Sequence, residues 1–342
     1  MIGIGVVGVG DMGKRHAENL RRYVPGASLA AVADANLERA RAVAAELEIE
    51  SYYETVEELV QDQGVNAIVV ASPPRFHPDA IRAAAAARKH VLCEKPLALT
   101  LEEADVALES VATAGVTLQM GHMRRYDPAY VEAAKRIDAG DIGDPIIFKS
   151  IGRDTQPPPL SYFQSGANGT LLLDSSVHDF DLARWLMKDE VVEVHAYTAT
   201  LSVPELVKYG CFDFAIANFR FGRGGIGNVE SFMNARYGYD IRTEIIGTKA
   251  TLQVGRMWET GVEVLTEQGC RHDALRHWLV RFADAYLLEM RDFVETLGSG
   301  RAPRISGHDG RQAIAIALAA QQSSRESRPV RLQSILEASH AR

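Results

Sequence analysis

The sequence predicts an α/β plus α+β protein: an N-terminal Rossmann doubly wound parallel sheet, then a C-terminal open antiparallel sheet with helices on one face. Three observations lead there. Apolar runs alternate with helix-length segments over residues 2–120, and a glycine-rich turn follows the first run. From Pro145 onward, strand-like runs succeed one another mostly without helices between them. At 342 residues the chain exceeds one hydrophobic core, so two domains are expected.

The first apolar run, residues 2–9, leads into Gly8-x-Gly10-x-x-Gly13, with Asp11 and Met12 between the last two glycines and a helical segment over 16–23. Glycines so spaced let a pyrophosphate approach backbone amides at a helix N-terminus, although a plain strand-to-helix turn would use them too. The second run, 29–33, ends at Asp34, 21 residues after Gly13. A carboxylate there accepts both hydroxyls of an adenosine ribose and repels a 2′-phosphate. Ala35 and Asn36 supply no cation for that phosphate, so NAD is expected over NADP. Asp34 could also serve as a solvated helix N-cap.

The alternation continues with a helix over 37–47, a strand over 51–53, a helix over 55–61 and a strand over 67–71. That strand breaks at Ser72-Pro73-Pro74, and a helix begins near His77. Ligands bind such sheets beyond the carboxyl ends of the strands, which places Ser72, Pro73, His77 and Glu94 on the cofactor side. Residues 90–100, HVLCEKPLALT, form the organising stretch: a buried strand delivers Glu94, Lys95 and a rigid proline to that edge. A helix over 101–114 and a strand over 117–120 complete the section. The boundary near Gly121-His122 sets a nucleotide-binding domain over 1–121 and a substrate-binding and oligomerisation domain over 122–342.

Composition narrows the partners. Hydrophobic residues make up 46% and charged residues 24%, and 37 basic against 45 acidic residues give a charge of −8, which argues against a nucleic-acid surface. Three separated cysteines without a Cys-x-x-Cys spacing suggest neither a disulfide framework nor zinc; no metal is expected, and a reducing cytoplasm fits. The apolar start lacks a basic leader and reads as a strand, and no run is long enough to span a bilayer, so no membrane partner is expected.

In the second half, residues 123–139 open with MRRYDPAY and read as a helix. Its position makes Arg124 or Arg125 a candidate for the cofactor or substrate, beside the commoner role of a solvated basic face. Strands follow over 146–151, 191–201, 211–221, 225–233, 241–246 and 251–254. Between the first two, residues 168–186 have helical character, and Asp174 and His178, four apart, share a face on such a helix. A carboxylate beside an imidazole raises its basicity and suits a base that removes a hydroxyl proton; an ordinary surface pair is the simpler account. Three prolines at 157–159 stiffen a loop in which Asp154 and Gln156 are candidate hydroxyl ligands. Helices are expected over 279–297 and 310–324.

Gly8-x-Gly10-x-x-Gly13, Glu94-Lys95-Pro96 and Asp174-x-x-x-His178, together with GHMRRYDP, LLLDSSVHDFDLARWL and YGYDIRTEIIGTKATL, resemble the Gfo/Idh/MocA oxidoreductases. The pattern is particularly similar to the inositol 2-dehydrogenases of that family. The resemblance implies NAD-dependent oxidation of a secondary alcohol on a cyclic polyol, first myo-inositol, with a pyranose or anhydrosugar dehydrogenase or an NAD-dependent glycoside hydrolase as alternatives. It makes Lys95, Asp174 and His178 the catalytic residues, and it often carries a cis Lys-Pro bond at the position of Lys95-Pro96. It adds an arginine of MRRYDP and one of Tyr237 and Tyr239 to the pocket; Arg124 is expected at the cofactor, and Arg125 and Tyr239 at the substrate. It also implies a homo-oligomer, a dimer or tetramer, through the outer face of the C-terminal sheet. The chain departs from the paired glycines of many relatives at Gly166-Ala167-Asn168-Gly169.

Overall fold

In the computed structural model, residues 1–340 are described. Contacts divide them into two compact units: Met1–Tyr126 with Asp284–Ile314, and Asp127–Ala283 with the described residues from Ala315 on.

The first unit is built from strands β1 (Ile2–Val7), β2 (Ala27–Ala33), β3 (Ser51–Tyr53), β4 (Ala67–Val70), β5 (His90–Glu94) and β6 (Leu118–Gly121), interleaved with helices α1 (Asp11–Tyr23), α2 (Leu37–Glu46), α3 (Val56–Gln61), α4 (His77–Ala86) and α5 (Leu101–Ala114). All strands are parallel, in the order β3-β2-β1-β4-β5-β6. The order reverses between β1 and β4, and such a switch point opens a crevice at the carboxyl ends of the strands. β4 is buried at every residue, as a strand covered by helices on both faces requires.

One element of this unit comes from far along the chain. Helix α11 (Ala283–Ser299) contributes Met290, Phe293 and Val294 to the cluster holding Ile4, Val6, Leu20, Leu29 and Leu92. The helical pattern over 279–297 lies in the range expected for the second domain, yet these three residues join the first unit. A single boundary at 121/122 therefore does not describe the contacts. Three residues that the pattern reads as part of the same helix, Leu279, Val280 and Arg281, fall in a separate turn, α10 (Trp278–Arg281).

The second unit carries α6 (Pro128–Asp138), β7 (Pro145–Arg153), α7 (Leu160–Gln164), α8 (Leu171–Asp174), α9 (Val177–Met187), β8 (Val191–Ala199), β9 (Phe214–Phe221), β10 (Ile226–Phe232), β11 (Asp240–Gly247), β12 (Thr251–Val254), a hairpin of β13 (Glu263–Thr266) and β14 (Gly269–His272), and β15 (Val330–Arg331). The helical pattern over 310–324 becomes α12 (Gly307–Glu326), and α13 (Leu332–His340) closes the described chain. The large sheet runs β12-β11-β7-β10-β9-β8-β15. It differs from the expected antiparallel sheet at one seam, because β7 and β10 are parallel. Between β7 and β8 the chain passes through α7, α8 and α9; the meander β8-β9-β10 then brings β10 back beside β7 pointing the same way. Phe148, Phe180, Phe219 and Val229 are buried in this unit, with Phe180 edge-on to Phe219 at 5.6 Å.

The helical segment expected over 168–186 breaks at Ser175-Ser176. The Ser176 amide reaches back to the Leu171 carbonyl, while the Ser176 hydroxyl bonds Ser231 Oγ at 2.7 Å. Serine hydroxyls compete with the helical ladder in this way. Asp174 therefore ends one helix and His178 lies in the first turn of the next, so the shared-face argument from a continuous helix does not hold.

Candidate active site

The glycine turn is required by its own sterics. Gly8 has φ +81, and a Cβ on it would stand 2.6 Å from the Ser72 backbone; one on Gly13 would stand 1.7 Å from the Gly8 carbonyl oxygen. Gly10 differs: a Cβ there meets nothing within 4 Å. Gly10 is also the N-cap of α1, with no side-chain cap, and Asp11 and Met12 occupy the first turn. Unfilled backbone donors at a helix start, with open space before them, suit a pyrophosphate.

Asp34 is held beside that turn. Its Oδ2 accepts from the Val9 amide at 3.0 Å and its Oδ1 from the Asn36 amide at 2.9 Å. Arg39 Nη1 reaches both carboxylate oxygens, at 3.3 and 3.4 Å. The reading of Ala35 and Asn36 missed this cation, because one helical turn brings Arg39 back to the end of β2. Asp34 is placed to receive a ribose diol, and the donors and space around it fit a bound dinucleotide.

The remaining candidates of the first unit lie along the same edge. Ser72 Oγ is buried with no hydrogen-bond partner among the described residues, and Pro73 precedes a short helical turn. His77 is buried, and its ring spans two loops: Nδ1 lies 2.8 Å from the Pro96 carbonyl and Nε2 lies 2.7 Å from that of Ser72. Burial pulls its pKa below the usual imidazole range against the upward pull of those carbonyls. Both ring nitrogens thus face carbonyl oxygens, and the neutral ring, with a single N–H, donates to one of them. Lys95 is half-buried, follows β5 directly and precedes a cis peptide bond to Pro96.

Glu94 accepts from His16 Nε2 at 2.7 Å and from the Lys95 amide at 3.3 Å. Burial pushes its carboxyl up, but the hydrogen bond and charge of His16 and the charge of Lys95 outweigh it and hold the pKa low. His16 and Glu289, the third member of this buried group, were not singled out from sequence; their positions on α1 and α11 gave no local signal. Of the two candidate arginines, both buried, Arg125 pairs with Asp309 at 3.1 Å.

In the second unit, Tyr162 donates to Asp174 Oδ2 at 2.9 Å, and Ser175 Oγ donates to Asp154 at 3.4 Å. Burial, then the Asp174 charge, drives the Tyr162 pKa far above the phenol range, so its proton stays to anchor Asp174. Sequence reasoning missed Tyr162 because nothing local distinguishes it from other loop tyrosines. His178 is buried on α9. Tyr239 is buried edge-on to Phe282, whereas Tyr237 is exposed and its hydroxyl is engaged by Arg153 at 3.0 Å and Asp240 at 2.7 Å. Gln156 lines an open pocket of about 510 Å³ with Thr155, Asn234, Arg236 and Arg276.

The parallel sheet, the glycine turn, Asp34 and the lysine at the strand edge define a dinucleotide-dependent oxidoreductase. Residues 2–122 match the oxidoreductase family with an NAD-binding Rossmann fold, GFO_IDH_MocA, and residues 130–253 match the GFO/IDH/MocA C-terminal domain. The chain is 38% identical over 327 residues to the scyllo-inositol 2-dehydrogenase (NAD(+)) of Bacillus subtilis, covering 96% of this chain and 95% of that one. It is 37% identical to the myo-inositol 2-dehydrogenase of Thermotoga maritima, covering 97% and 99%. A crystal structure of scyllo-inositol dehydrogenase from Lactobacillus casei, with bound NAD(H) and scyllo-inositol, superimposes with a TM-score of 0.92 at 31% identity, covering 97% and 99%. The protein belongs to the Gfo/Idh/MocA family of oxidoreductases.

Proposed function

We propose that this protein is an NAD-dependent inositol 2-dehydrogenase, oxidising one secondary alcohol of a cyclic polyol. The observation that carries the reading is likeness over nearly the whole chain to dehydrogenases of two inositol isomers, which spans the segments holding Lys95, Asp174 and His178. NAD, when bound, supplies the hydride acceptor. The Lys95 ammonium donates to the substrate oxygen where negative charge develops, and His178 takes the hydroxyl proton. Asp174, anchored by Tyr162, binds a neighbouring hydroxyl, and Asp154, Arg125 and Tyr239 add polar contacts to a hydroxyl-rich ring. Arg124, Ser72 and Glu94 belong to the cofactor side in this reading.

A homo-oligomer formed through the large sheet of the second unit is part of the same reading. In its support, Tyr197 and Ile226 stand exposed on strands of that sheet. A cytoplasmic location accords with Cys93, Cys211 and Cys270, all free thiols. Among the described residues no helix is long and apolar enough to cross a membrane.

The test is a panel of inositol isomers, pyranoses and anhydrosugars followed by NADH absorbance, with NADP in parallel. Turnover with one inositol isomer exceeding every sugar supports the reading; glycoside cleavage at constant NADH would replace it with the hydrolase. Lys95→Met should lower turnover by about 100-fold or more while NAD affinity stays close to that of the parent.

A further inference from the structure

Glu94, His16 and Glu289 meet inside the first unit, directly behind Lys95. Glu289, on α11, is 0% exposed, and neither of its carboxyl oxygens has a hydrogen-bond partner among the described residues. One oxygen of Glu289, one of Glu94 and a ring nitrogen of His16 all lie within 4.8 Å of one another. Two carboxylates so close in a dry interior cannot both be ionised, because each charge raises the cost of the other.

The neighbours decide which one keeps the proton. Glu94 has the imidazole of His16 at 2.7 Å and the Lys95 amide at 3.3 Å. Glu289 faces no such donor. On its own helix stand Tyr286, whose ring packs edge-on against His16, and Asp292, which accepts from the Tyr126 hydroxyl at 2.7 Å. Arg304 lies over the Tyr126 ring at 5.3 Å. Burial, then the charges of Glu94 and Asp292, pushes the Glu289 carboxyl well above the usual carboxylate range.

A divalent cation is the competing occupant for a histidine and two carboxylates. A zinc-like ion sits about 2.1 Å from each ligand and so holds tetrahedral ligands roughly 3.4 Å apart. The 2.7 Å contact between His16 and Glu94 is the length of a direct hydrogen bond instead.

We propose that Glu289 is a positioning residue for the Lys95 turn: a neutral carboxylic acid beside the Glu94–His16 pair, so that Glu94 is the single carboxylate charge of the buried cluster next to Lys95. The positioning role rests on the reading of Lys95 as the group that meets the substrate oxygen; the proton assignment does not. With Glu289 neutral, Glu94 remains the single counter-charge to Lys95 and keeps its bonds to His16 and the turn. Ionisation of Glu289 would set two buried charges against each other. A carboxyl raised in the folded state contributes stability that is complete below the ordinary carboxylate range and is lost as pH rises through the folded value.

The experiment compares the full-length enzyme with Glu289→Gln and Glu289→Ala. Infrared spectra at neutral pH should show a protonated carboxylic acid band that disappears in Glu289→Gln. That variant should keep kcat within about threefold of the parent and lose less Tm than the parent as pH rises, because the amide copies the neutral acid but cannot ionise. Glu289→Ala should lower kcat about tenfold or more with NAD affinity unchanged. If Glu289→Ala does not fold, the band and the Tm–pH slope of Glu289→Gln decide. Absence of the band, or a Glu289→Gln loss as large as that of Glu289→Ala, would overturn the proposal. So would a stoichiometric divalent ion whose chelation copies Glu289→Ala. Should Lys95→Met keep full turnover while the band and Tm behaviour hold, the positioning role falls and the neutral Glu289 stands.

Discussion

Two helices of the first unit begin in opposite ways. α5 starts at Thr100, whose hydroxyl accepts from the Glu103 amide at 3.2 Å while the Glu103 carboxylate accepts from the Thr100 amide at 3.2 Å. α1 starts at Gly10 with no side chain to cap it and with empty space where a Cβ would stand. Both helices are long enough to leave the same orphan donors at their first turn. The difference teaches that α5 closes its end for the sake of the fold, whereas α1 leaves its end for an anionic ligand and bears the cost in its unbound state. Thr55 closes α3 in the same way as α5; α4 also lacks a side-chain cap, but it continues directly from the turn over Pro74–Phe76.

The sharpest way to break this comparison is Gly13→Val. Its Cβ would meet the Gly8 carbonyl oxygen at 1.7 Å, which must distort the turn that aims the donors. Overpacking of this kind costs roughly 1–3 kcal/mol, so NAD affinity should fall about 10- to 100-fold or more in a fluorescence titration, with a lowered Tm. Asp34→Ser removes a charged acceptor worth about 1.5–3 kcal/mol and should weaken NAD binding by roughly 10- to 100-fold. The same change leaves Arg39 without its carboxylate partner, so NADP affinity should rise; unchanged NADP affinity would remove Arg39 from any part in cofactor choice. Gly10→Ala fits the fold but places a methyl before the open helix end. Unfolding free energy should stay within about 1 kcal/mol of the parent in a denaturant titration while NAD affinity drops about tenfold. The smallest effect belongs to Thr100→Ala, which should cost about 1 kcal/mol of stability in a denaturant titration and leave NAD affinity untouched.

Much of the first unit was legible because its signals are local. The spacing of Gly8, Gly10 and Gly13, the acid at the end of β2 and the Glu94-Lys95-Pro96 edge each follow from residues close together in the chain. Legibility fell where distant segments meet. Nothing near Glu289 announces that α11 returns to the first sheet. Arg39 is close in the chain to Asp34 and was missed only because the search for a cation stopped at Ala35 and Asn36, short of the helical turn that brings it back. The break at Ser175-Ser176 was hidden for another reason: apolar spacing reports a buried side, not an uninterrupted ladder, and a serine hydroxyl bonded to Ser231 depends on a strand some fifty residues away.

Sequence alone determined the alternation of strands and helices and the glycine turn with its acidic partner. These are encoded in periodicity and short spacings, which local sterics and hydrogen bonding translate directly. Tertiary structure decided the parallel seam between β7 and β10, the anchoring of Asp174 by Tyr162, and the meeting of His16, Glu94 and Glu289. Such features depend on the protonation and partners of groups far apart in the chain, and burial sets their energies only once the chain has packed.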